Sequence, residues 1–258
     1  MSNTMPHHHF DAKVLQDALA QDEIQLYYQP VVDAVDKRVI GLEALVRWIH
    51  PEGMIQPGAF LPMASVFGLM PTLDRHVLKI AIHQSQVWNR QGFRGYVAVN
   101  LSMDSLTPEF AIEAIRNVRQ FPDAYVIIEV TESERAVNPD LVREALSLFI
   151  EAGLPVYFDD FGAGFSNMTY LLHYPVNGIK IDRMFIQALG RGAVGPVLAM
   201  ITLARAEGLD IVAEGVEQLI ECERLIEMGC LTHQGFYYAK PTPMDRIVIK
   251  ENGEIEIK

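Results

Sequence analysis

Residues 140–164 read DLVREALSLFIEAGLPVYFDDFGAG and contain the unit from which the fold is predicted. Apolar residues at helical spacing cover about Asp140–Ala152, and Gly153 with Pro155 forms an ordinary helix stop. A short apolar strand, Val156–Phe158, follows and ends in two aspartates. A helix that leads directly into a buried strand is the repeating element of parallel α/β proteins.

The same alternation of strands and helices extends in both directions along the chain. Further strands are predicted at Ile24–Val32, Val39–Val46, Tyr96–Asn100, Tyr125–Val130, Ile179–Ile181, Ile211–Ala213 and Phe236–Tyr238. Further helices are predicted at Leu73–Trp88, Pro108–Arg119, Pro196–Glu207 and Gln218–Met228. About eight strands in 258 residues favour a (β/α)8, or TIM, barrel over an open doubly wound sheet. No glycine-rich dinucleotide fingerprint follows the first strand, which also disfavours the open sheet.

The first two strands differ from the rest because only the polar turn Asp33–Arg38 joins them. A connection this short makes a hairpin, and a hairpin is antiparallel. The predicted fold is therefore a modified TIM barrel with one antiparallel strand. Residues 11–258 are predicted to form this single domain. Residues 1–10, with His7–His9, are predicted to be a disordered tail, although the histidines could also be an added tag or a metal-binding tract.

Composition limits the function. The chain has 33 Asp+Glu against 21 Lys+Arg, a formal net charge of −12, and 50% hydrophobic residues. The apolar half excludes intrinsic disorder, and the acidic excess argues against a general DNA binder or docking on anionic lipid. No apolar run is long enough to span a bilayer, so no membrane insertion is expected. Cys222 and Cys230 are too few for a disulfide framework, which favours a reducing, cytoplasmic location.

Polar residues recur where the predicted strands end. They are Glu43, Asn100, Glu129, Asp159 with Asp160, Lys180 and Glu214. A single carboxylate there is typically a helix N-cap or a turn residue, but six strands sharing the feature disfavour that explanation. In a barrel these ends converge on one face, where active sites lie. Five carboxylates in one mouth would repel each other unless cations neutralise them, and oxygen ligands without cysteine favour Mg²⁺ or Mn²⁺.

The Asp159-Asp160 pair favours two metal ions over one. Neighbouring side chains on a regular strand point in opposite directions, so both can serve one site only if the strand ends there. The segment Phe161-Gly162-Ala163-Gly164 supplies such an ending. Two metals that share an aspartate can activate a water and hold a phosphodiester for in-line attack.

Several segments then resemble one family, in that family's order, from about residue 10 to residue 245. They are Tyr28-Gln29-Pro30, Glu43-Ala44-Leu45 with Arg47, Val99-Asn100-Leu101-Ser102, Glu129-Val130-Thr131-Glu132-Ser133, Asp159-Asp160-Phe161-Gly162-Ala163-Gly164, Ile179-Lys180-Ile181-Asp182-Arg183, Ala213-Glu214-Gly215-Val216-Glu217 and Gln234-Gly235-Phe236. Together they resemble the EAL-domain cyclic di-GMP phosphodiesterases. The resemblance implies hydrolysis of one phosphodiester bond of cyclic di-GMP to linear pGpG, dependent on Mg²⁺ or Mn²⁺, in bacterial signalling.

The resemblance also implies roles for individual residues. It implies metal binding by Glu43, Asn100, Glu129, Asp159 and Asp160. It implies catalytic roles for Glu43, Asp160, Lys180 and Glu214, with Lys180 at the attacking water or the scissile phosphate. It implies substrate contacts, or support of them, by Gln29, Leu45, Arg47, Glu217 and Gln234. Glu132 would anchor the loop after Asp160. That loop would connect the metals to a homodimer interface. Many family members carry a sensor or GGDEF domain, so such a domain could act with this chain.

One segment departs from the family pattern. Ala64-Ser65-Val66-Phe67-Gly68 stands where the family usually has Ala-Glu-Glu-Thr-Gly, so an acidic residue near the substrate is missing. This departure keeps open a second hypothesis, a module that senses cyclic di-GMP without cleaving it. A third hypothesis, a protein-interaction member that binds neither metal nor nucleotide, predicts loss of several strand-end acids, and these acids are present.

Overall fold

The computed structural model describes residues 11–131, 138–163 and 167–258. The predicted tail 1–10 and Glu132 lie outside these residues. The strands are β1 Ile24–Asp33, β2 Arg38–His50, β3 Gly53–Ile55, β4 Tyr96–Leu101, β5 Val126–Thr131, β6 Val156–Phe161, β7 Gly178–Ile181, β8 Asp210–Ala213, β9 Thr232–Gln234, β10 Thr242–Pro243, β11 Ile247–Ile249 and β12 Ile255–Ile257. The helices are α1 Ala12–Ala20, α2 Pro57–Val66, α3 Met70–Arg90, α4 Pro108–Arg119, α5 Pro139–Glu151, α6 Asn167–His173, α7 Arg183–Gly190, α8 Val194–Glu207 and α9 Leu219–Met228.

Eight of the described strands close into a barrel. Strands β2, β4, β5, β6, β7, β8 and β9 pair in parallel in that order. Strand β1 lies between β9 and β2 and is antiparallel to both. The predicted modified TIM barrel with one antiparallel strand is therefore confirmed. Strands β3 and β10 extend β2 and β1, and β11 pairs with β12 in a separate hairpin.

Two features of the prediction differ from the structure. The last barrel strand was predicted at Phe236–Tyr238, but the structure has it at Thr232–Gln234, and Phe236–Tyr238 forms a turn. That prediction was wrong because the true strand is short and polar, although His233 in it is completely buried. Helices α1, α2, α6 and α7 were also not predicted. Within the described residues, no helix has both the length and the apolar composition needed to cross a bilayer.

The helices are set by local capping signals. The Thr107 side chain accepts a hydrogen bond from the Phe110 amide at the start of α4, and Asn138 caps α5 in the same way. Helices α8 and α9 end at Gly208 and Gly229, whose positive φ angles suit glycine. These signals fix where α4 and α5 begin and where α8 and α9 end.

The hydrophobic core has two parts. The larger part fills the layer between the barrel and its surrounding helices and includes Trp48, Phe60, Phe149 and Phe158, all completely buried. The smaller part lies inside the barrel and is formed by Val31, Ala98, Ile127, Tyr157 and Val212. The barrel strands are packed on both faces and most of their central residues are buried, so the polar side chains at their ends are held on rigid backbone.

Candidate active site at the barrel mouth

Lys180 is the centre of the polar cluster at the mouth. It lies on β7 and is 1% exposed. Its Nζ atom is 2.6 Å from Glu214 Oε1, 2.8 Å from Glu129 Oε2, 3.2 Å from Asp159 Oδ1 and 3.3 Å from Glu43 Oε2. Burial acts to lower the pKa of Lys180, but the four surrounding carboxylates outweigh it and raise that pKa well above its usual value. The ammonium is therefore held in its charged form.

The carboxylates form two groups around a shared member. One group, the first triad, is Glu43, Glu129 and Asp159, and the other, the second triad, is Asp159, Asp160 and Glu214. In each triad one oxygen from every residue lies within 4.8 Å of the others. Burial, followed by the nearby acids, raises the pKa of Glu129 and of Glu214. One ammonium cannot balance this many carboxylates, so the site retains an excess of negative charge.

An irregularity in β6 brings Asp159 and Asp160 to the same site. The pairing of β6 with β7 shifts between Phe158 and Phe161, and Asp160 has a φ of 52°. This left-handed conformation is unusual for a residue with a side chain, and such strain is concentrated at functional sites. The strand was predicted to end at the aspartates; instead it continues to Phe161 through a bulge that turns both carboxylates toward the mouth.

Three amide side chains connect the first triad to the neighbouring strands. Asn100 Nδ2 donates to Glu43 Oε1 at 2.7 Å and lies 3.4 Å from Glu129 Oε2. Gln234 Nε2 donates to Glu43 Oε2 at 2.5 Å and to Gln29 Oε1 at 3.3 Å. These contacts fix the Glu43 carboxylate from two sides. Since Asn100 uses its nitrogen here, metal binding through its amide oxygen remains a prediction.

The substrate residues predicted on β2 lie on the same strand face as Glu43. Gln29 pairs with Glu43, Tyr27 with Leu45, and Gln25 with Arg47 across the hairpin. Alternate residues share one face of a strand, so Leu45 and Arg47 extend outward from the triad. The guanidinium of Arg47 lies over the Tyr27 ring at 5.8 Å from its centroid, and burial lowers its pKa.

Two cavities meet at the acidic cluster, and Glu43 and Asp159 line both. One, of about 230 Å³, is mainly apolar and includes Leu45. The other, of about 520 Å³, is polar, and the lining residues relevant here are Gln29, Asp160, Asp182, Arg183, Glu214, Glu217, Gln234 and Phe236. An elongated ligand could therefore lie across the acids with one end in each cavity. Of the predicted site residues that the structure describes, all but Arg47 belong to the Lys180 cluster or line these cavities. Arg47 lines neither cavity and lies further along β2.

Two aspartates at the site were not singled out from the sequence. Asp182 caps α7 through the Met184 amide at 2.8 Å and also hydrogen-bonds Asp160. Burial, then Asp159 and this bond, raise the pKa of Asp160 to about 7. Asp74, buried on α3, accepts from the Ser102 amide and hydroxyl just after Asn100. Asp182 precedes a helix and therefore has the sequence pattern of an ordinary N-cap. Asp74 lies alone among apolar helix positions, and nothing in the sequence pattern indicates that it is near the site.

The donor set fits hard divalent cations. All the carboxylates present oxygen, no cysteine reaches the mouth among the described residues, and the two triads share one aspartate. Either triad alone offers three oxygen ligands, which leaves coordination positions for the water that Mg²⁺ usually keeps.

Comparison with known proteins agrees with this geometry. The EAL domain model matches residues 12–241, and the chain therefore belongs to the EAL domain family. It is 36% identical over 241 residues to the bifunctional diguanylate cyclase/cyclic di-GMP phosphodiesterase MucR of Pseudomonas aeruginosa, covering 91% of this chain and 35% of MucR. It is 35% identical over 235 residues to the cyclic di-GMP phosphodiesterase PdeR of Escherichia coli, covering 89% of this chain and 35% of PdeR. The chain thus spans about a third of these relatives.

A solved structure shares the fold and much of the sequence. The PaMucR phosphodiesterase in a c-di-GMP complex superposes with a TM-score of 0.81 at 36% identity, covering 90% of this chain and 96% of that chain. Similarity over nearly the whole of both chains means that the barrel fold is common to them.

Divalent cations are expected to stabilise the protein because they bind the folded mouth and not the unfolded chain. At a cation concentration about 100 times the dissociation constant, the gain is about 2.7 kcal/mol. The measurement is thermal unfolding in EDTA and in Mg²⁺ or Mn²⁺, with NaCl at matched ionic strength. Asp159→Asn, which alters both triads, is expected to lose most of the increase, and Glu144→Gln, on the exposed surface of α5, is expected to keep it. An equal increase with NaCl would contradict a specific site.

Proposed function

We propose that this chain is a cyclic di-GMP phosphodiesterase that hydrolyses one phosphodiester bond to give linear pGpG and thereby lowers this second messenger in bacterial signalling. The observation that carries the proposal is the pair of triads sharing Asp159 around the buried Lys180. Membership of the EAL family and the names of MucR and PdeR support the choice of substrate.

The proposed metal ligands follow from the triads. Glu43, Asn100, Glu129 and Asp159 would hold one Mg²⁺ or Mn²⁺ ion, and Asp159 with Asp160 and Glu214 would hold a second ion or its water. When bound, such ions lower the pKa of a water molecule and offset charge on the phosphate.

The chain's own groups would orient these ligands during hydrolysis. In the reaction a water oxygen forms a bond to phosphorus, the bond from phosphorus to the leaving sugar oxygen breaks, and that oxygen takes up a proton. Lys180 contacts four carboxylates and is 1% exposed, which supports a role in holding and partly neutralising them. A direct contact between Lys180 and the water or the phosphate remains a prediction. Asp160 lies beside Asp159 in the second triad, and its catalytic role, orienting the water or moving its proton, is part of the proposal.

The two cavities support a dinucleotide as substrate. A cyclic dinucleotide carries two bases and two phosphodiesters, and it could place one phosphate at Glu43 and Asp159 while its bases enter the two cavities. Arg47 would bind a phosphate, Leu45 and Glu217 would line the substrate, and Gln29 and Gln234 would hold Glu43 in place. Glu132, which lies outside the described residues, is proposed to anchor the loop after Asp160.

The test is incubation of the purified protein with cyclic di-GMP and Mg²⁺ or Mn²⁺, with product separation by chromatography. pGpG is expected with either metal and not in EDTA, and Glu43→Gln is expected to abolish its formation. The exposed Glu144→Gln variant should retain wild-type turnover. Unchanged turnover in Glu43→Gln would contradict the proposed phosphodiesterase site.

The same experiment separates the enzyme from a receptor. Ser65 donates to Asp104 Oδ2 at 3.0 Å, in the segment that lacks the family's usual acidic residue. Tight binding of cyclic di-GMP by the wild-type protein with no product in either metal would favour the receptor.

Partners and location are part of the proposal. We propose a homodimer, and a sensor or GGDEF domain that acts with this chain, since MucR carries the matched region as 35% of its length and has a second named activity. Both cysteines are free and buried, which supports a reducing, cytoplasmic environment.

A further inference from the structure

Glu43 is connected through two glutamines to the loop that follows the last barrel strand. Gln234 Nε2 donates to Glu43 Oε2 at 2.5 Å and to Gln29 Oε1 at 3.3 Å. Gln29 Nε2 in turn donates to the carbonyl of Ala239 at 3.1 Å. Gln29 is 8% and Gln234 3% exposed, so water competes little for these bonds. The position of Glu43 therefore depends on where this loop, residues 235–239, is held.

The backbone of loop 235–239 folds tightly against the segment after β8. The Tyr237 amide donates to the carbonyl of Val216 at 2.9 Å, and the Tyr238 and Ala239 amides both donate to the carbonyl of Gly235. Gly235 has a φ of 159°, and any side chain there would collide with the Val216 backbone. These backbone bonds give the loop its shape and hold it against the segment after β8, and one side chain reaches back from the loop to the barrel wall.

That side chain is Tyr238. Its hydroxyl lies 2.9 Å from His233 Nδ1 on β9 and 3.3 Å from Cys222 Sγ on α9. His233 is completely buried and Cys222 is 6% exposed. His233 is also the neighbour of Gln234, so one hydroxyl connects the loop that carries Ala239 to the strand that carries Gln234.

The direction of each hydrogen bond can be derived. His233 Nε2 lies 2.9 Å from the carbonyl of Cys230, and a carbonyl only accepts, so Nε2 carries the proton. Burial lowers the pKa of His233, which keeps the ring neutral and leaves Nδ1 as an acceptor. The Tyr238 hydroxyl must then donate to Nδ1. Its oxygen remains free to accept from the Cys222 thiol, so the cluster has one consistent pattern of donors.

We propose that Tyr238 is a positioning residue for Glu43, acting through its hydroxyl bond to His233 and through the Gln29 and Gln234 amides. This inference rests on the proposed function, because Glu43 is a proposed metal ligand there. Groups that orient metal ligands affect metal affinity and activity by about 10- to 100-fold, and Tyr238 lies one step further out. The lower end of that range is expected for it.

The test uses Tyr238→Phe, which keeps the ring and removes one oxygen. The Mn²⁺ concentration for half-saturation, followed by electron paramagnetic resonance without substrate, is expected to rise about 10-fold. The kcat at subsaturating Mn²⁺ should fall in proportion and recover at high Mn²⁺. Tyr237→Phe, which removes the hydroxyl of an exposed neighbour, is the matched control and should bind Mn²⁺ as the wild type does.

A second measurement does not depend on turnover. In ¹⁵N-histidine NMR spectra of the wild-type protein, His233 should show a protonated Nε2 and an unprotonated Nδ1, and Tyr238→Phe should shift the Nδ1 signal. A protonated Nδ1 in the wild type, or unchanged Mn²⁺ binding in a folded Tyr238→Phe variant, would overturn the inference. If the wild type makes no pGpG, the proposed function fails, while Mn²⁺ binding and the NMR spectra still decide the role of Tyr238.

Discussion

Replacing Lys180 by methionine is expected to abolish detectable hydrolysis of cyclic di-GMP and to destabilise the metal-free protein by about 3–5 kcal/mol. The ammonium lies 2.6–3.3 Å from four carboxylates and is 1% exposed. Methionine fills a similar volume but carries no charge, so the carboxylates would be left without their internal counter-charge. Urea unfolding in EDTA measures the loss of stability, and chromatography of pGpG measures the loss of turnover.

A distinctive feature of this variant is the expected response to metal. Mn²⁺ should restore part of the lost stability, since it brings positive charge to the same acids, but it should not restore turnover. Lys79→Met, which removes a charge from the exposed face of α3, should leave both quantities unchanged. Turnover of Lys180→Met within a few-fold of the wild type would contradict the central role given to this ammonium.

Asp159→Asn is expected to reduce hydrolysis and metal affinity by more than about 100-fold, the upper value for residues that only support metal ligands. Asp159 belongs to both triads, and asparagine keeps its shape while removing its charge. Binding of Mn²⁺ followed by calorimetry should show two sites in the wild type and none in this variant. Glu129→Gln alters only the first triad and Asp160→Asn only the second, so each should retain one site.

Comparing the number of Mn²⁺ sites in these variants tests each of the two proposed metal sites separately. Asp36→Asn, in the exposed turn between β1 and β2, should bind metal as the wild type does. Two intact sites in a folded Asp159→Asn variant would show that the triads are independent of this aspartate. A single site already present in the wild type would replace the two-metal arrangement with a one-metal arrangement.

Much of the fold could be predicted because the barrel strands are buried and apolar. Val156–Phe158 and Ile179–Ile181 stand out from their polar surroundings, and Gly153, Gly208 and Gly229 end helices where the pattern indicated. The strand-end acids could be assigned to one site for the same reason. A polar residue after a buried apolar run is easily recognised, and parallel strands bring such residues to one face of the barrel.

The parts that could not be predicted depend on contacts between distant residues. Strand β9 is Thr-His-Gln, and its burial comes from pairing with both β8 and β1, which no local pattern reveals. The bulge that turns Asp160 toward Asp159 has no signal in the sequence beyond the two aspartates. The bond between Tyr238 and His233 likewise joins a turn to strand β9. The sequence predicts that strand four residues too far along the chain, at Phe236–Tyr238.

The antiparallel position of β1 has a consequence for how the protein becomes active during its synthesis. Strand β1 is made before β9, with which it pairs, and the contact between Gln234 and Glu43 spans 191 residues. Contacts of such long range form late in folding, and domains fold as their residues leave the ribosome. A nascent or truncated chain without β9 therefore has neither a closed barrel nor the amide that holds Glu43. The proposed hydrolysis is therefore expected only from the complete domain, and a chain that ends before β9 should show none.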